Sequence, residues 1–368
     1  MIASAFSDLS RNAPVTMPTM PTTSRHSHQN GILRCVGNTP LVSLTRYLDE
    51  PSVELHAKLE AANPGGSAKD RPALQMLTHA FETGELSPGD TVVESSSGNM
   101  GIGLAQACRY HNLRFICVVD PHAQPQNVAI MKAYEADVVR VTEPHDGSFL
   151  AARLHRVQKI LAKTPNSFWP NQYANRQNPI AHELGTIREI LESTQGDFDY
   201  LFVATSSTGT AQGCRDYLRR LNHHAKVIAV DANGSVLFGG SPGKRLIPGI
   251  GAGHLPALAK DQTFDDVARV SDIDCVVGCR RASQREAILV GGSAGGVLEV
   301  VRAHQNRIRG KRIVAILHDS GTRYLDTVFS DQWVQSELGV TPNMIEERIH
   351  APALTAPAPN HPQSETSS

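Results

Sequence analysis

The chain has 368 residues, of which 40% are hydrophobic and 5% aromatic, enough to form the cores of two globular units. Its 35 Lys and Arg residues nearly balance 36 Asp and Glu residues, and a net charge of -1 argues against nucleic acid or an anionic membrane as a partner. We therefore expect the partners to be small molecules.

The two ends of the chain differ from its middle in composition. Residues 1–30 are rich in Ser, Thr, Pro, Met and His without a hydrophobic period, and residues 348–368 are similar. We predict a disordered leader and a disordered tail there. Because we find no signal peptide, no apolar run long enough to span a membrane and no paired CxxC motif, we predict a cytoplasmic protein with free thiols and no metal site.

Between these ends, apolar runs alternate with stretches that favour helix. The predicted strands are 53–59, 91–94, 115–120, 138–142, 200–205, 226–231, 288–291 and 312–317. Most of them are continuously apolar, as buried parallel strands are. The clearest predicted helices are 69–83, 99–111, 151–163, 210–221 and 294–307. This alternation predicts an α/β fold with mostly parallel, twisted sheets flanked by helices.

The first of four loops that follow predicted strands carries Lys69 at the start of a helix. It reads NPGGSAKDR from Asn63 to Arg71, and its two glycines form the turn. The helix dipole disfavours a positive charge at this position, which lowers the lysine pKa and favours the neutral amine that a Schiff base requires. A surface lysine after a turn is the alternative, and this loop alone does not exclude it.

The second loop precedes a helix that begins near Asn99. Its residues are Ser95, Ser96, Ser97 and Gly98. Hydroxyls and backbone N–H groups at a helix start bind a carboxylate or a phosphate, and the Asn99 amide is suited to a phenolic oxygen. Simple helix capping is the alternative.

The third loop, after the apolar run 200–204, is the clearest phosphate site. It consists of hydroxyl residues and one glycine: Ser206, Ser207, Thr208, Gly209 and Thr210. Because no Walker lysine follows, a monophosphate held by neutral donors fits better than a nucleoside triphosphate. Capping is again the alternative.

The fourth loop, GGSAGG over 291–296, has small residues that let a flat ligand approach the backbone. Ser293 is suited to a hydrogen bond with a ring nitrogen, although close helix–sheet packing explains the glycines equally well. Taken together, the four loops offer an amine for an aldehyde and partners for a phosphate, a phenolic oxygen and a pyridine nitrogen. These are the groups of pyridoxal 5'-phosphate, which we predict as the cofactor.

These motifs resemble those of the fold-type II pyridoxal-phosphate enzymes, the family of cysteine synthases and cystathionine β-synthases. The resemblance covers about residues 31–335, including GNTPL from Gly37 and DSGTRYL from Asp319. It implies that Lys69 forms the Schiff base and acts as the catalytic base. It also implies that Asn99 binds the phenolic oxygen, that residues 206–210 bind the phosphate and that Ser293 faces the ring nitrogen.

The resemblance further implies a homodimer of two-domain subunits. We predict an N-terminal domain over 51–175 with the Schiff-base lysine and the substrate-carboxylate loop, and a C-terminal domain over 176–347 with the phosphate site. Residues 31–50 are predicted to join the C-terminal domain. The predicted substrate-binding residues are Ser95, Ser96, Ser97, Gly98, Met100, Gln172, Tyr173 and Arg245. Packing for Tyr173 and a solvated surface charge for Arg245 stay open as alternatives.

Departures from ordinary cysteine synthases indicate a subgroup. Met100 replaces the usual threonine, and hydroxyls replace most glycines of the phosphate loop. The stretches 169–175 and 230–238 are similar to enzymes that join O-phospho-L-serine and L-glutamate for 2,3-diaminopropionate and siderophore synthesis. That similarity implies β-replacement with these two substrates. A sulfur nucleophile in place of glutamate is one alternative, and a non-catalytic phosphate-ligand binding protein is another.

Overall fold

The computed structural model describes residues 31–352 as two β-sheets with helices packed around them. Its strands are β1 (Leu41–Ser43), β2 (Glu54–Leu59), β3 (Thr91–Ser95), β4 (Arg114–Val119), β5 (Asp137–Arg140), β6 (Ser167–Phe168), β7 (Tyr200–Ala204), β8 (Lys226–Ala232), β9 (Asp266–Val270) and β10 (Arg312–Leu317). Its α-helices are α1 (Asp70–Thr83), α2 (Asn99–Tyr110), α3 (Pro125–Ala133), α4 (Phe149–Leu161), α5 (Gln177–Leu184), α6 (Thr186–Thr194), α7 (Gly209–Arg220), α8 (Asp272–Glu286), α9 (Gly292–His304), α10 (Asp331–Leu338) and α11 (Pro342–His350). The predicted leader lies outside the described residues.

Both sheets consist mainly of parallel strands. The larger sheet has the order β1-β2-β10-β7-β8-β9, and β1 with β2 is its antiparallel pair. The smaller sheet has the order β5-β4-β3-β6, with parallel pairing throughout. Strands β3, β7, β8 and β10 are buried along nearly their whole length, as their continuous apolar runs predict. The predicted α/β fold class is confirmed.

Strand β2 belongs to a different sheet from the one that the sequence analysis expects. The predicted N-terminal domain begins at residue 51, but β2 pairs in parallel with β10, with Leu55 opposite Ile313. It also pairs with β1, so the larger sheet includes both strands. The apolar pattern of a strand shows that it is buried but does not name its partner, because pairing is decided by distant parts of the chain. The division into two domains otherwise stays a prediction.

The predicted strand over 288–291 is wrong. This segment contains an isolated bridge between Val290 and Ser320, and it connects α8 directly to α9. Val290 is buried, and the backbone N–H of Gly291 donates to the Asp319 carbonyl at 3.1 Å. The short apolar run therefore reflects burial in the core and not membership of a sheet. Over four residues, hydrophobic periodicity cannot distinguish a buried strand from a buried connecting segment.

The sequence patterns also miss several elements, of which α8 is the longest. Its start carries a capping box, in which Ser271 accepts from the Asp274 N–H and Asp274 accepts from the Ser271 N–H. The buried face of α8 is made partly of small residues and of Arg281, which is 0% exposed. A buried arginine breaks the apolar period on which helix prediction depends.

At the C-terminal end, helix α11 extends beyond the predicted start of the tail at residue 348. Ile349 is fully buried, and Arg302 donates to the backbone carbonyls of Arg348 and Ala351. These contacts hold the last turn against α9. The remainder of the predicted tail, 353–368, lies outside the described residues.

Residues 31–352 bear on three expectations: membrane spans, metal sites and the state of the cysteines. This part of the chain has no helix that is long and apolar enough to cross a membrane. It also has no cluster of three or more His, Cys, Asp or Glu side chains arranged to hold a metal ion. All six cysteines are free thiols, and Cys35 is the exposed one among them.

A buried ion-pair network connects the start of α1 to the larger sheet. The Arg71 guanidinium contacts Glu60 at 2.7 Å and Glu189 at 2.6 Å, and Lys58 contacts Glu189 at 2.7 Å. Arg71 and Glu60 are almost completely buried. Because buried charges are tolerated only when paired, this network fixes the position of the loop that carries Lys69.

Candidate active site

A cavity of about 360 Å³ lies at the carboxyl ends of β3 and β7 and gathers most of the predicted site residues. It is lined by Lys69, Ser96, Ser97, Gly98, Asn99, Met100, Gln172, Tyr173, Ser206, Ser207 and Arg245, among others. A smaller cavity of about 30 Å³ shares Lys69 and Asn99 with it and is also lined by Thr208, Gly209, Thr210 and Ser293. The four loops therefore meet around one continuous site. Ser95 differs, because it is fully buried in β3 and lines neither cavity.

Lys69 immediately precedes α1 and lines both cavities. Burial lowers the pKa of its ammonium group to about 8, and the Asp319 carboxylate offsets part of this effect. Removal from water, rather than the helix dipole invoked from the sequence, is the largest cause of this lowered pKa. At pH 7 about one amine in ten is then neutral, against fewer than about one in a thousand for an ordinary lysine.

The loop before Lys69 is held by backbone contacts on both sides. The Gly65 N–H donates to Asp70 Oδ2 at 2.5 Å, and a Cβ at Gly65 would lie 2.6 Å from the same carboxylate. Only glycine fits this close approach. On the other side, the Ala68 N–H donates to the His318 carbonyl at 2.8 Å. The lysine loop is thus tied to the end of β10.

Asn99 begins α2, and residues after β10 orient its amide. Its Nδ2 donates to Asp319 Oδ2 at 2.7 Å, and its Oδ1 accepts from Arg323. Because a guanidinium group can only donate, the direction of the amide is determined. Tyr324 also donates to Asp319 Oδ2, at 2.5 Å. The Asn99 amide keeps a second N–H, which suits a phenolic oxygen. The roles of Arg323 and Tyr324 are missed by the sequence analysis, although both belong to the DSGTRYL motif.

The serine-rich loop between β3 and α2 is shaped by its own hydroxyl groups. Ser96 Oγ accepts from the Gly101 N–H at 2.9 Å and from the Gly98 N–H at 3.3 Å. Ser97 Oγ accepts from the Asp120 N–H at 3.3 Å. These bonds fix a turn whose remaining N–H groups stand at the start of a helix, where they suit a carboxylate.

Glu94, just before this loop, is a buried carboxyl group that the sequence analysis misses. It accepts from the Ser95 N–H at 2.6 Å, from Trp169 Nε1 at 3.2 Å and from the Gln172 N–H at 3.2 Å. Burial raises its pKa to about 7, although these hydrogen bonds oppose the shift. Glu94 therefore joins the start of the serine-rich loop to Gln172, which also lines the cavity.

The hydroxyl-rich loop after β7 forms a cradle without charged side chains. Thr208 has a φ of 68°, which turns the backbone into the start of α7. Thr210 Oγ1 lies 3.1 Å from His182 Nε2. Burial keeps the pKa of His182 well below its ordinary value, so its imidazole is neutral. Neutral donors at a helix start suit a phosphate dianion, as the sequence analysis expects.

Ser293 lies at the start of α9 and is 3% exposed. Gly249 faces it: a Cβ on Gly249, which has a φ of 84°, would lie 3.5 Å from Ser293 Oγ. Glycine therefore leaves the space beside Ser293 open. His318, which the sequence analysis does not select, lines the same small cavity.

At the opposite end of the larger cavity lies a cation that the sequence analysis misses. Arg153, on α4, places its Nε 3.0 Å from Asp120 Oδ2, and its side chain is only 11% exposed. It also donates to Ser97 Oγ at 3.3 Å. Helix α4 carries two arginines, Arg153 and the exposed Arg156. Nothing in the local sequence distinguishes the one that turns inward.

Two predicted substrate-binding residues, Tyr173 and Arg245, line the same end of this cavity as Arg153. Arg153, Tyr173 and Arg245 also line an adjoining cavity of about 530 Å³. Burial lowers the pKa of Arg245, and its Nε is buried without a hydrogen-bond partner among residues 31–352. Lys244, by contrast, is exposed and lies 4.0 Å from Glu337, as a surface charge does.

The residues present fit pyridoxal phosphate. Lys69 offers a partly neutral amine for the aldehyde, and Asn99 offers an oriented N–H for the phenolic oxygen. The cradle over residues 206–210 suits the phosphate, and Ser293 suits the ring nitrogen beside the open space at Gly249. Each of the four polar groups of the cofactor thus has a partner of matching chemistry in the continuous site that the two cavities form.

Comparison with known proteins agrees with this chemistry. Residues 32–319, which include all four loops, match the family described as pyridoxal-phosphate dependent enzymes. Across 329 residues the chain is 42% identical to N-(2-amino-2-carboxyethyl)-L-glutamate synthase from Ralstonia nicotianae. The alignment covers 88% of this chain and 97% of that synthase.

Solved structures share the fold. A hydrogen sulfide-producing enzyme from Fusobacterium nucleatum is 30% identical, with a TM-score of 0.75 over 81% of this chain and 100% of its own. An O-acetylserine dependent cystathionine beta-synthase from Helicobacter pylori is 27% identical, with a TM-score of 0.76 over 81% of this chain and 98% of its own. O-ureido-L-serine synthase is 29% identical, with a TM-score of 0.76 over 84% of this chain and 99% of its own.

Proposed function

The chain belongs to the family of pyridoxal-phosphate dependent enzymes, and we propose that it joins O-phospho-L-serine to L-glutamate, giving N-(2-amino-2-carboxyethyl)-L-glutamate and phosphate. The observation that carries this proposal is the 42% identity to the Ralstonia nicotianae synthase, over 97% of that enzyme's length. The chemistry of the residues that line the cavity supports the proposal.

Lys69 is the residue that moves a proton. When bound, pyridoxal phosphate supplies an electron sink that weakens the bonds at Cα of the amino acid attached to it. With a pKa of about 8, the Lys69 amine is able to accept the Cα proton of phosphoserine and to return it later. Overall, the Cβ–O bond breaks, the phosphate leaves with its electron pair, and the glutamate amine forms the Cβ–N bond and loses a proton.

The serine-rich loop orients the first substrate. The N–H groups at the start of α2 and the side chain of Gln172 face the cavity beside Lys69 and suit the α-carboxylate of phosphoserine. Glu94 accepts from the backbone N–H groups of Ser95 and Gln172, which fixes the position of Gln172 beside the serine-rich loop. Such fixed positioning places Cα within reach of the lysine amine.

Arg153 and Arg245 are suited to the anionic groups at the other end. Phosphoserine carries a phosphate that leaves, and glutamate carries two carboxylates. Both arginines line the cavity of about 360 Å³ and the adjoining cavity of about 530 Å³. A second substrate that enters through the adjoining cavity would therefore pass two positive charges on its way to the reacting carbon. Asp120 pairs with Arg153 at 3.0 Å and holds the guanidinium in place. Guanidinium groups bind carboxylate and phosphate with two parallel hydrogen bonds.

The alternative nucleophile is a sulfur compound, and one structural relative is named as a cystathionine beta-synthase. The deciding experiment supplies the purified holoenzyme with phosphoserine, glutamate and sulfide together and identifies the products by mass spectrometry. We expect the glutamate adduct, with one phosphate released for each product molecule. Cysteine as the main product would overturn the proposed second substrate.

A matched control separates catalysis from ligand binding. The Lys69→Ala variant should give neither product nor the visible absorption of the lysine–cofactor Schiff base. If the chain were a non-catalytic phosphate-binding protein, the unsubstituted chain would also lack both the product and the Schiff-base absorption. Product formation by Lys69→Ala at the unsubstituted rate would refute the role of this residue.

The setting of the reaction is also part of the proposal. We expect a cytoplasmic homodimer whose product is a precursor of 2,3-diaminopropionate in siderophore synthesis. The free cysteines are compatible with a reducing compartment. Light scattering coupled to size-exclusion chromatography would measure the mass of the assembly, and a monomer under assay conditions would contradict the dimer.

A further inference from the structure

His318 immediately follows β10 and lines the small cavity with Lys69 and Ser293. Both of its ring nitrogens are buried, and neither has a hydrogen-bond partner among residues 31–352. A buried polar atom without a partner costs free energy, so native proteins rarely leave one unpaired. Two such atoms on one imidazole, at the wall of a ligand cavity, point to a partner that the ligand supplies.

The other polar groups of the cofactor already have partners. The cradle over residues 206–210 suits the phosphate, Asn99 suits the phenolic oxygen, and Lys69 reacts with the aldehyde. The remaining polar group is the ring nitrogen, to which Ser293 is so far the one side chain assigned. We propose that His318 is a second residue at this position and donates an imidazole N–H to the ring nitrogen of pyridoxal phosphate.

The surroundings of His318 suit a donor that does not give up its proton. Burial and the nearby Lys69 ammonium group lower the pKa of His318 to about 3, so the imidazole is neutral. A neutral imidazole carries one N–H, which is far too weak an acid to protonate a pyridine nitrogen. The ring nitrogen then keeps its lone pair in a hydrogen bond and stays a moderate electron sink. This agrees with replacement at Cβ, where a fully protonated ring is not required.

The test compares two cofactors that differ at one atom. In the analogue 1-deazapyridoxal phosphate, a C–H group replaces the ring nitrogen and accepts no hydrogen bond. The dissociation constants of both cofactors are measured with the apoprotein by equilibrium dialysis, for the unsubstituted chain and for His318→Phe. The ratio of the two constants isolates the ring nitrogen, because a steric change at residue 318 acts on both cofactors alike.

We expect the preference for pyridoxal phosphate over the analogue to fall about 2- to 10-fold in His318→Phe, the range for one neutral hydrogen bond. His318→Asn and His318→Gln each keep one N–H, near the positions of Nδ1 and Nε2, and at least one of them should restore the preference. Ser293→Ala should lower it independently.

An unchanged ratio in His318→Phe would overturn the proposal, even if both cofactors bind more weakly. If the unfolding midpoint of the apoprotein shows that His318→Phe is poorly folded, His318→Leu replaces it under the same criterion. Because the measurement uses no amino-acid substrate, its outcome is independent of which nucleophile the enzyme accepts. If the enzyme fails to use the proposed substrates, that failure therefore leaves this test of the His318 contact unaffected.

Discussion

Asn99 donates a hydrogen bond of 2.7 Å from Nδ2 to Oδ2 of Asp319, although the two residues lie 220 positions apart. Asp319 also accepts from Tyr324, and Arg323 donates to the other end of the same amide. The residue assigned to the phenolic oxygen is therefore oriented by the segment that follows β10. This contact joins the loop after β3 in the smaller sheet to the end of β10 in the larger sheet, so the candidate cofactor site is built from both sheets.

The first prediction concerns this contact. Asp319→Ala should weaken the binding of pyridoxal phosphate about 10- to 100-fold, because hydrogen bonds to a charged group contribute about 1.5–3 kcal/mol and the Asn99 amide loses its orientation. Equilibrium dialysis of the apoprotein measures the effect. Tyr324→Phe, which keeps the carboxylate and its bond to Asn99, should change binding far less. Equal binding by Asp319→Ala and the unsubstituted chain would contradict the orienting role.

The second prediction follows from the pKa of Lys69, which burial lowers to about 8. Only the neutral amine attacks the cofactor aldehyde, so the rate of Schiff-base formation by the apoprotein should rise with pH and level off above about 8. Stopped-flow absorbance after mixing with pyridoxal phosphate gives the profile. A rate that still rises at the pKa of an ordinary lysine, near 10.4, would show that the amine is not desolvated as described.

The third prediction tests Arg153 as a binding group for anionic substrates. Arg153→Gln should lower kcat/KM for phosphoserine and glutamate about 10- to 100-fold, since it removes a charge-assisted hydrogen bond. Arg156→Gln, an exposed arginine on the same helix, is the matched control and should leave kcat/KM unchanged. An equal loss in both variants would point to the stability of α4 instead.

The fourth prediction separates the phosphate cradle from the rest of the cofactor site. Thr210→Val should weaken the binding of pyridoxal phosphate about 2- to 10-fold through the loss of one hydroxyl. Pyridoxal, which lacks the phosphate, should bind both forms equally. Absorbance titration of the apoprotein with each ligand makes the comparison. A similar loss for pyridoxal would mean that Thr210 acts through its 3.1 Å contact with His182 rather than on the phosphate.

The fifth prediction concerns the ion-pair network that positions α1. Burial alone would raise the pKa of Glu189, but the hydrogen bonds and charges of Arg71 and Lys58 outweigh it and lower the pKa from 4.5 to about 2. Because the folded-state pKa is depressed, the stabilisation is complete above about 4.5 and is lost as the pH falls towards 2.

Glu189→Gln should therefore reduce the free energy of unfolding at neutral pH by about 3–5 kcal/mol, the cost of breaking a buried pair. The difference from the unsubstituted chain should shrink as the pH is lowered. Denaturant titrations at several pH values measure it, with the exposed Glu192→Gln on the same helix as the control. A difference that does not vary with pH would exclude the ionised carboxylate as its origin.

Much of the candidate cofactor site can be predicted from local sequence. Lys69 after its double-glycine turn and the hydroxyl loop over 206–210 each place the right chemistry between a strand and a helix. Each of these loops is expected at the carboxyl end of its own strand, where parallel sheets bind ligands. That the two loops share one sheet is decided by the pairing of β2 with β10. The cofactor and the family follow from these features, and the comparisons confirm both.

Other parts of the site are decided only by the folded chain. Arg153 is one of two arginines on α4, and its partner Asp120 lies on a different segment. His318 becomes a cavity residue because β10 ends beside the lysine loop. The pairing of β2 with β10 likewise joins segments far apart in the chain. Local patterns record which residues are apolar, hydroxyl-bearing or charged. Burial, the resulting pKa shifts and contacts across hundreds of residues depend on which elements pack together, and that is determined by the tertiary structure.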